Sequence, residues 1–132
     1  MFRLLICAFL GSGLGGVLRY LVSYWLSRIN TATAGSFAAL FPWATLLVNV
    51  AGCFVIGLLY GLIDAGAIRL SDQARTFLTV GLCGGLTTFS TFTHENYLLF
   101  QSHAFGIVLI YAAVSLILGF ACAWAGHAVA TL

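Results

Sequence analysis

Residues 84–92 read Gly84-Gly85-Leu86-Thr87-Thr88-Phe89-Ser90-Thr91-Phe92, and they lie in the middle of a long apolar segment. Adjacent glycines followed by threonines and a serine weaken a helix, the glycines through backbone entropy and the hydroxyl residues by bonding to local backbone. In a bilayer, non-helical backbone survives only where protein buries it or where it lines a wet cavity. A helix broken at membrane depth is therefore a candidate ion or substrate site. The competing reading of the same stretch is a small-residue packing face.

The surrounding composition sets the class. Of 132 residues, 62% are hydrophobic and only 6% charged, which excludes an ordinary soluble domain and indicates an all-α integral membrane protein. The net charge of +2 comes from five arginines set against three acids. There is no basic patch, so nucleic acid is not an expected partner. The N-terminal apolar stretch outruns a signal-peptide core and has no clear cleavage site. Cys7, Cys53, Cys83 and Cys122 fall in four different apolar segments without CxxC spacing, and read as buried thiols.

A helix needs about 20 apolar residues to cross the hydrocarbon. Four segments qualify, at about 4–26, 43–63, 76–100 and 104–130, and together they make residues 1–132 a single transmembrane domain, with the third helix broken near its middle. Pro42 starts the second segment, where a missing N–H costs nothing. Ser71-Asp72 predicts an N-cap for the third. Arg3, Arg69 and Arg75 fall on one side and Arg28 on the other, joined by Arg19 if it snorkels; this weak bias is compatible with insertion in both orientations. Gly11-x3-Gly15, Gly57-x3-Gly61 and Gly81-x3-Gly85 match the small-xxx-small pattern of close helix contact. Gly11-Ser-Gly-Leu-Gly-Gly16 also matches GxGxxG, but no strand precedes it, so packing is the better reading.

Few polar groups lie within the spans, and each is expensive there unless it is paired or functional. Arg19 is either a snorkelling residue or the source of an electropositive vestibule. Thr45 and Asn49 are i,i+4 and share a face with Cys53. Asn49 offers two N–H donors to a small anion, or else a hydrogen bond between helices. In the third segment Phe89 and Phe92 are i,i+3 neighbours, usually a core pair, whose ring edges are the positive part of the quadrupole. Glu95 is the only acid placed deep. In the fourth segment Tyr111 and Ser115 continue a polar stripe. No residue spacing indicates a transition-metal site, and no nucleophile–base pair indicates an enzyme.

Three ordered motifs carry a more specific reading: Gly15-Gly-x-x-Arg19-Tyr20, Pro42-x-x-Thr45-Leu-x-Val-Asn49-x-x-Gly52, and Gly81-x-x-Gly84-Gly-x-Thr-Thr-Phe-Ser-Thr-Phe92-x-x-Glu95. With them, essentially the whole chain resembles the Fluc (CrcB) family of fluoride channels. The resemblance implies an antiparallel homodimer in the bacterial plasma membrane (the cell inner membrane), surrounded by lipid and exporting fluoride passively through two pores. It also implies a structural sodium ion at the dimer centre, held by carbonyls at the helix break, by position those of Gly84 and Thr87. It puts Asn49, Phe89 and Phe92 on the fluoride path, Thr45, Glu95, Tyr111 and Ser115 on its polar track, and Arg19, Ser90 and Thr91 in the vestibule. In the fourth segment Gly119 stands where the polar stripe could continue with a serine.

Two other classes fit a short four-helix membrane protein. A dual-topology small multidrug exporter needs a membrane-embedded carboxylate, which here could only be Glu95, while the first segment carries Arg19 and no acid. A non-transporting assembly subunit explains the glycine faces but not Asn49 together with the Phe/Thr segment.

Overall fold

The computed structural model describes residues 1–30 and 37–132. Every described element is helical. Helix α1 spans Phe2–Asn30, α2 Phe37–Leu40, α3 Trp43–Asp64 and α4 Asp72–Thr76. A π-helical turn, Phe77–Cys83, then leads into the short α5, Gly84–Leu86, and after a break come α6, Phe89–Gln101, and α7, Phe105–Ala130. Three stretches are long and apolar enough to cross a membrane: Phe2–Arg28, Trp43–Asp64 and Phe105–Ala130. The predicted third span is the interrupted column running from α4 through α6. It begins four residues earlier than the expected 76, because Ser71 adopts extended backbone and its hydroxyl accepts from the Ala74 N–H at 3.2 Å. Pro42 precedes α3 as expected. Two turns need a left-handed residue: Gly66 after α3, with φ of 70°, and His103 between α6 and α7, with φ of 59°.

Two tight pairings build the fold. α1 lies along the π turn and α5, and α3 lies along α7. A Cβ at Gly11 would land on the backbone of Phe77 and Gly81, and one at Gly15 on that of Leu82, Gly85 and Leu86. Likewise a Cβ at Gly57 would strike the Ala123 backbone, one at Gly61 that of His127, and one at Gly126 that of Phe54. Contacts climb in the same direction on both members, so α1 runs parallel to the interrupted column and α3 parallel to α7. That is the alternation required of a chain that crosses a bilayer repeatedly. All three small-xxx-small stripes are used inside one chain, so they give no support to association between copies; a case for a dimer rests on other features.

Beyond these seams lies a small core of Phe41, Leu46, Leu99, Ile107 and Tyr111. The outer faces of α1 and α7 remain apolar, with Phe9, Leu109, Leu116 and Phe120 all exposed. A helix hydrophobic all round is one surrounded by lipid or protein, so the chain is a multi-pass membrane protein. At one end, His127 Nε2 lies 3.3 Å from Asp64 Oδ2 and ties α7 to α3.

Candidate functional site

The column breaks at Thr87 and Thr88, not at the glycines. Gly84 is helical, with φ −64° and ψ −35°, whereas Thr87 and Thr88 are extended. The glycines serve close approach instead: a Cβ on Gly85 would fall on Ser12 backbone, and Gly81 sits against Gly11. The break and the small-residue packing face thus coexist, each on different residues of the run.

At the break, the bonds of a continuous helix are rerouted. The Thr88 N–H, which would otherwise reach the Gly84 carbonyl, donates to Asn49 Oδ1 at 2.7 Å. Asn49 Nδ2 in turn donates to the Thr88 carbonyl at 3.1 Å. One side-chain amide therefore satisfies both backbone groups of a residue only 7% exposed. The Thr91 N–H, the natural partner of the Thr87 carbonyl, is capped by Thr88 Oγ1 at 3.2 Å. The carbonyls of Gly84 and Thr87 are thereby released from their helical amides, and hard oxygen donors of that kind suit a hard cation. The Thr87 hydroxyl donates to the Cys83 carbonyl at 2.9 Å, while its methyl group fills the space left by Gly52. Among the described residues, no cluster of three or more His, Cys, Asp or Glu could hold a metal.

Two cavities adjoin the break and a third lies farther along α6. The largest is an open groove of ≈ 420 Å³, and it gathers Asn49, Gly84, Thr87, Phe89, Phe92 and Ser115 along its walls, together with Thr88. Phe89 is 79% exposed on it. Its ring lies 5.9 Å from that of Phe92, centroid to centroid, and Phe92 lies 5.0 Å from Tyr111. Asn49 spends one of its two Nδ2 protons on the Thr88 carbonyl. The sequence weighed an anion donor against an interhelical bond for this residue, and the interhelical bond is the one present. Ser115 Oγ is buried without a partner among the described residues.

A second cavity, of ≈ 230 Å³, brings Arg19 together with Thr45, Thr91 and Thr88. Arg19 therefore stands beside the polar residues that follow the break. Ser90 Oγ is 3.3 Å from Thr88 Oγ1. The third cavity, of ≈ 390 Å³, holds Glu95 among Phe41, Pro42, Trp43 and Leu99. The Glu95 carboxylate accepts from Thr45 Oγ1 and from the Tyr111 hydroxyl, each at 2.7 Å, one on each oxygen. Thr45 and Tyr111 are 4% and 0% exposed, so both donors are locked in place. Gly119 stands 3.5 Å, measured from a Cβ built on it, from Cys53 Sγ. That is ordinary contact, and nothing in the packing explains the glycine.

Thr88 is not among the ten residues that the family resemblance implies for the path, yet it lines both the groove and the Arg19 cavity. A signal was available: a threonine directly before a helical run, with its hydroxyl in reach of the N–H three residues on, is an N-cap pattern.

The sequence profile of the family described as CrcB-like protein, Camphor Resistance (CrcB), matches residues 6–127. A Flavobacterium psychrophilum protein named fluoride-specific ion channel FluC is 40% identical over 121 residues, 92% of this chain and 91% of the relative. A protein of the same name from Thermus thermophilus is 45% identical over 118 residues, 89% of this chain and 86% of the relative. Another from Agrobacterium fabrum is 41% identical over 118 residues, 89% and 88% of the two chains.

Proposed function

This chain belongs to the CrcB-like family, and from that premise we propose that it is a fluoride-selective channel, conducting fluoride passively out of the cell across the bacterial inner membrane. The observation that carries the reading is the break at Thr87–Thr88, latched by Asn49, with Phe89 and Phe92 on the groove beside it. A break at membrane depth has to be functional or it is merely costly.

Fluoride is small and strongly hydrated, so a narrow path must replace its water with donors without holding the ion too tightly to leave. The groove offers the free N–H of Asn49, the unpartnered hydroxyl of Ser115 and the edges of Phe89 and Phe92. Arg19 draws the anion toward the cavity it shares with Thr45 and Thr91, and Ser90 Oγ lies 3.3 Å from Oγ1 of Thr88, which lines that cavity. Glu95 repels the ion less than a bare carboxylate would, because Thr45 and Tyr111 each donate a hydrogen bond to it. Chloride is larger and would have to part the Phe89 and Phe92 rings, straining a packed wall.

The working unit is an antiparallel homodimer with two pores. A single chain leaves Phe89 exposed and the groove open on one side, and a second copy in the opposite orientation would wall it. The small number of arginines on either side supports dual orientation. Sodium is the cation we assign to the released carbonyls of Gly84 and Thr87; bound at the centre of the dimer, it would neutralise their partial charge and join the two copies. The multidrug-exporter alternative gains nothing from the geometry, since its one available carboxylate is already doubly bonded.

Purified protein in liposomes, given equal outward gradients of each anion, should release fluoride orders of magnitude faster than chloride. Equal rates would end the channel reading in this form, and proton-coupled efflux of a cationic drug would favour the exporter.

A further inference from the structure

Thr88 lines both the groove and the Arg19 cavity, and it is the only described residue common to their walls. Its backbone has no freedom, because Asn49 holds both its N–H and its carbonyl. Its hydroxyl is different. Thr88 Oγ1 accepts from the Thr91 N–H at 3.2 Å, donates to Thr91 Oγ1 at 3.0 Å and lies 3.3 Å from Ser90 Oγ. A hydroxyl has one proton and two lone pairs, and the proton rotates to suit its surroundings. The cap on α6 uses a lone pair. The proton can therefore swing away from Thr91 Oγ1 without loosening the helix.

Resting on the fluoride-channel reading above, we propose that the Thr88 hydroxyl is the hand-over donor for fluoride between the Arg19 cavity and the groove. As the ion leaves the side lined by Arg19 and Thr91, the Thr88 proton turns from Thr91 Oγ1 to fluoride. It turns back once the ion reaches the free N–H of Asn49. No covalent bond forms and no proton is transferred. A neutral hydroxyl–hydroxyl bond is exchanged for a charge-assisted one, which is roughly twice as strong. Thr91 is exposed, so cavity water meets its oxygen during the exchange. The exchange offsets dehydration at the wall between the two cavities. It also gives a reason for a buried hydroxyl that has more polar neighbours than capping requires.

The test compares three proteins in liposomes: the parent, Thr88→Val, which keeps the branched shape and loses the hydroxyl, and Thr88→Ser, which keeps the hydroxyl and loses the methyl. Two quantities are read, the fraction of liposomes that empty and the rate at which each empties. Loss of a helix cap alone would leave fewer folded channels, lowering the fraction while each surviving channel runs at the parent rate. Loss of the hand-over donor slows every channel. Thr88→Val is expected to lower the rate per active liposome by about tenfold or more, the scale of one hydrogen bond to a charged group, while Thr88→Ser stays within about threefold of the parent. A Thr88→Val rate equal to the parent's overturns the proposal, as does a loss confined to the fraction, or an equal loss in Thr88→Ser. Should Thr88→Val fail to yield a monodisperse protein, Thr88→Cys takes its place: the thiol is a weak donor of similar size, the same slowing is expected, and the parent rate overturns the proposal. If the parent itself passes no fluoride, the channel reading fails and not merely the role of Thr88.

Discussion

Replacing Asn49 by alanine removes the latch at the break and the groove's amide donor in one step. In the native chain the Asn49 amide makes two bonds to Thr88, at 2.7 Å to its N–H and 3.1 Å to its carbonyl. Alanine strands the N–H of Thr88, a residue 7% exposed, whereas the Thr88 carbonyl, at the N-cap of α6, keeps the first bond of that helix. A stranded donor of that kind costs about 1–3 kcal/mol, and the break loses that much support. Loss of the remaining N–H from the ion path adds about 2–3 kcal/mol to the barrier, or roughly a 30- to 150-fold slowing. Asn49→Asp separates the two effects. It still accepts from the Thr88 N–H, but sets a carboxylate oxygen against the Thr88 carbonyl and has no donor for an anion. Fluoride efflux from liposomes and the temperature at which purified protein loses its elution peak are the two assays. Asn49→Ala should lower both flux and thermal stability; Asn49→Asp should lose flux at least as completely. An Asn49→Ala protein that conducts and melts like the parent would refute the latch and the pore assignment together.

Phe92→Ile should slow fluoride efflux by about 30-fold or more while the protein stays folded, because an aliphatic group fills space beside Phe89 and Tyr111 but offers no positive ring edge; loss of the folded peak on size exclusion would instead make Phe92 a packing residue. Gly15→Ala should destabilise by about 1–3 kcal/mol, since its methyl falls on the backbone of α5, whereas Gly13→Ala, which meets nothing within 4 Å, should be neutral or mildly stabilising through helix propensity; equal melting temperatures for the two would undo the packing argument. A cysteine introduced at Ala67 of an otherwise cysteine-free chain should be labelled by a membrane-impermeant reagent in part from each side of one membrane, and labelling from a single side would rule out the dual orientation.

The helices were legible from apolar length alone, and so was the weak point at 84–92, because the bilayer tolerates few other readings. Its position within that run was not. Glycine predicts a break through backbone freedom and a seam through lack of a side chain, and composition cannot say which. Here Gly81 and Gly85 make the seam with α1, and the break falls on two threonines whose backbone groups find Asn49. The i,i+4 spacing of Thr45 and Asn49 did put both on one helix face, but their partners, Glu95 and Thr88, lie 50 and 39 residues away and could not be assigned by spacing. The donors on Glu95 follow the same rule: Thr45 and Tyr111 were each visible as polar residues at depth, and only the fold shows that they converge on one carboxylate.

The π-helical turn at Phe77–Cys83 has a consequence for register. A π turn of this length holds one residue more than an α-helix of the same rise, and a single residue is worth about 100° of rotation. It acts as a vernier between two fixed alignments. On its far side, Gly85 must face α1; on its near side, Arg75 stacks over the Tyr60 ring of α3 at 5.4 Å. In an uninterrupted α-helix of the same sequence those two requirements would be about a third of a turn out of step. The surplus residue reconciles them, so a one-residue deletion inside 77–83 turns Arg75 away from Tyr60 if the glycine seam holds, or opens the seam if the stacking holds.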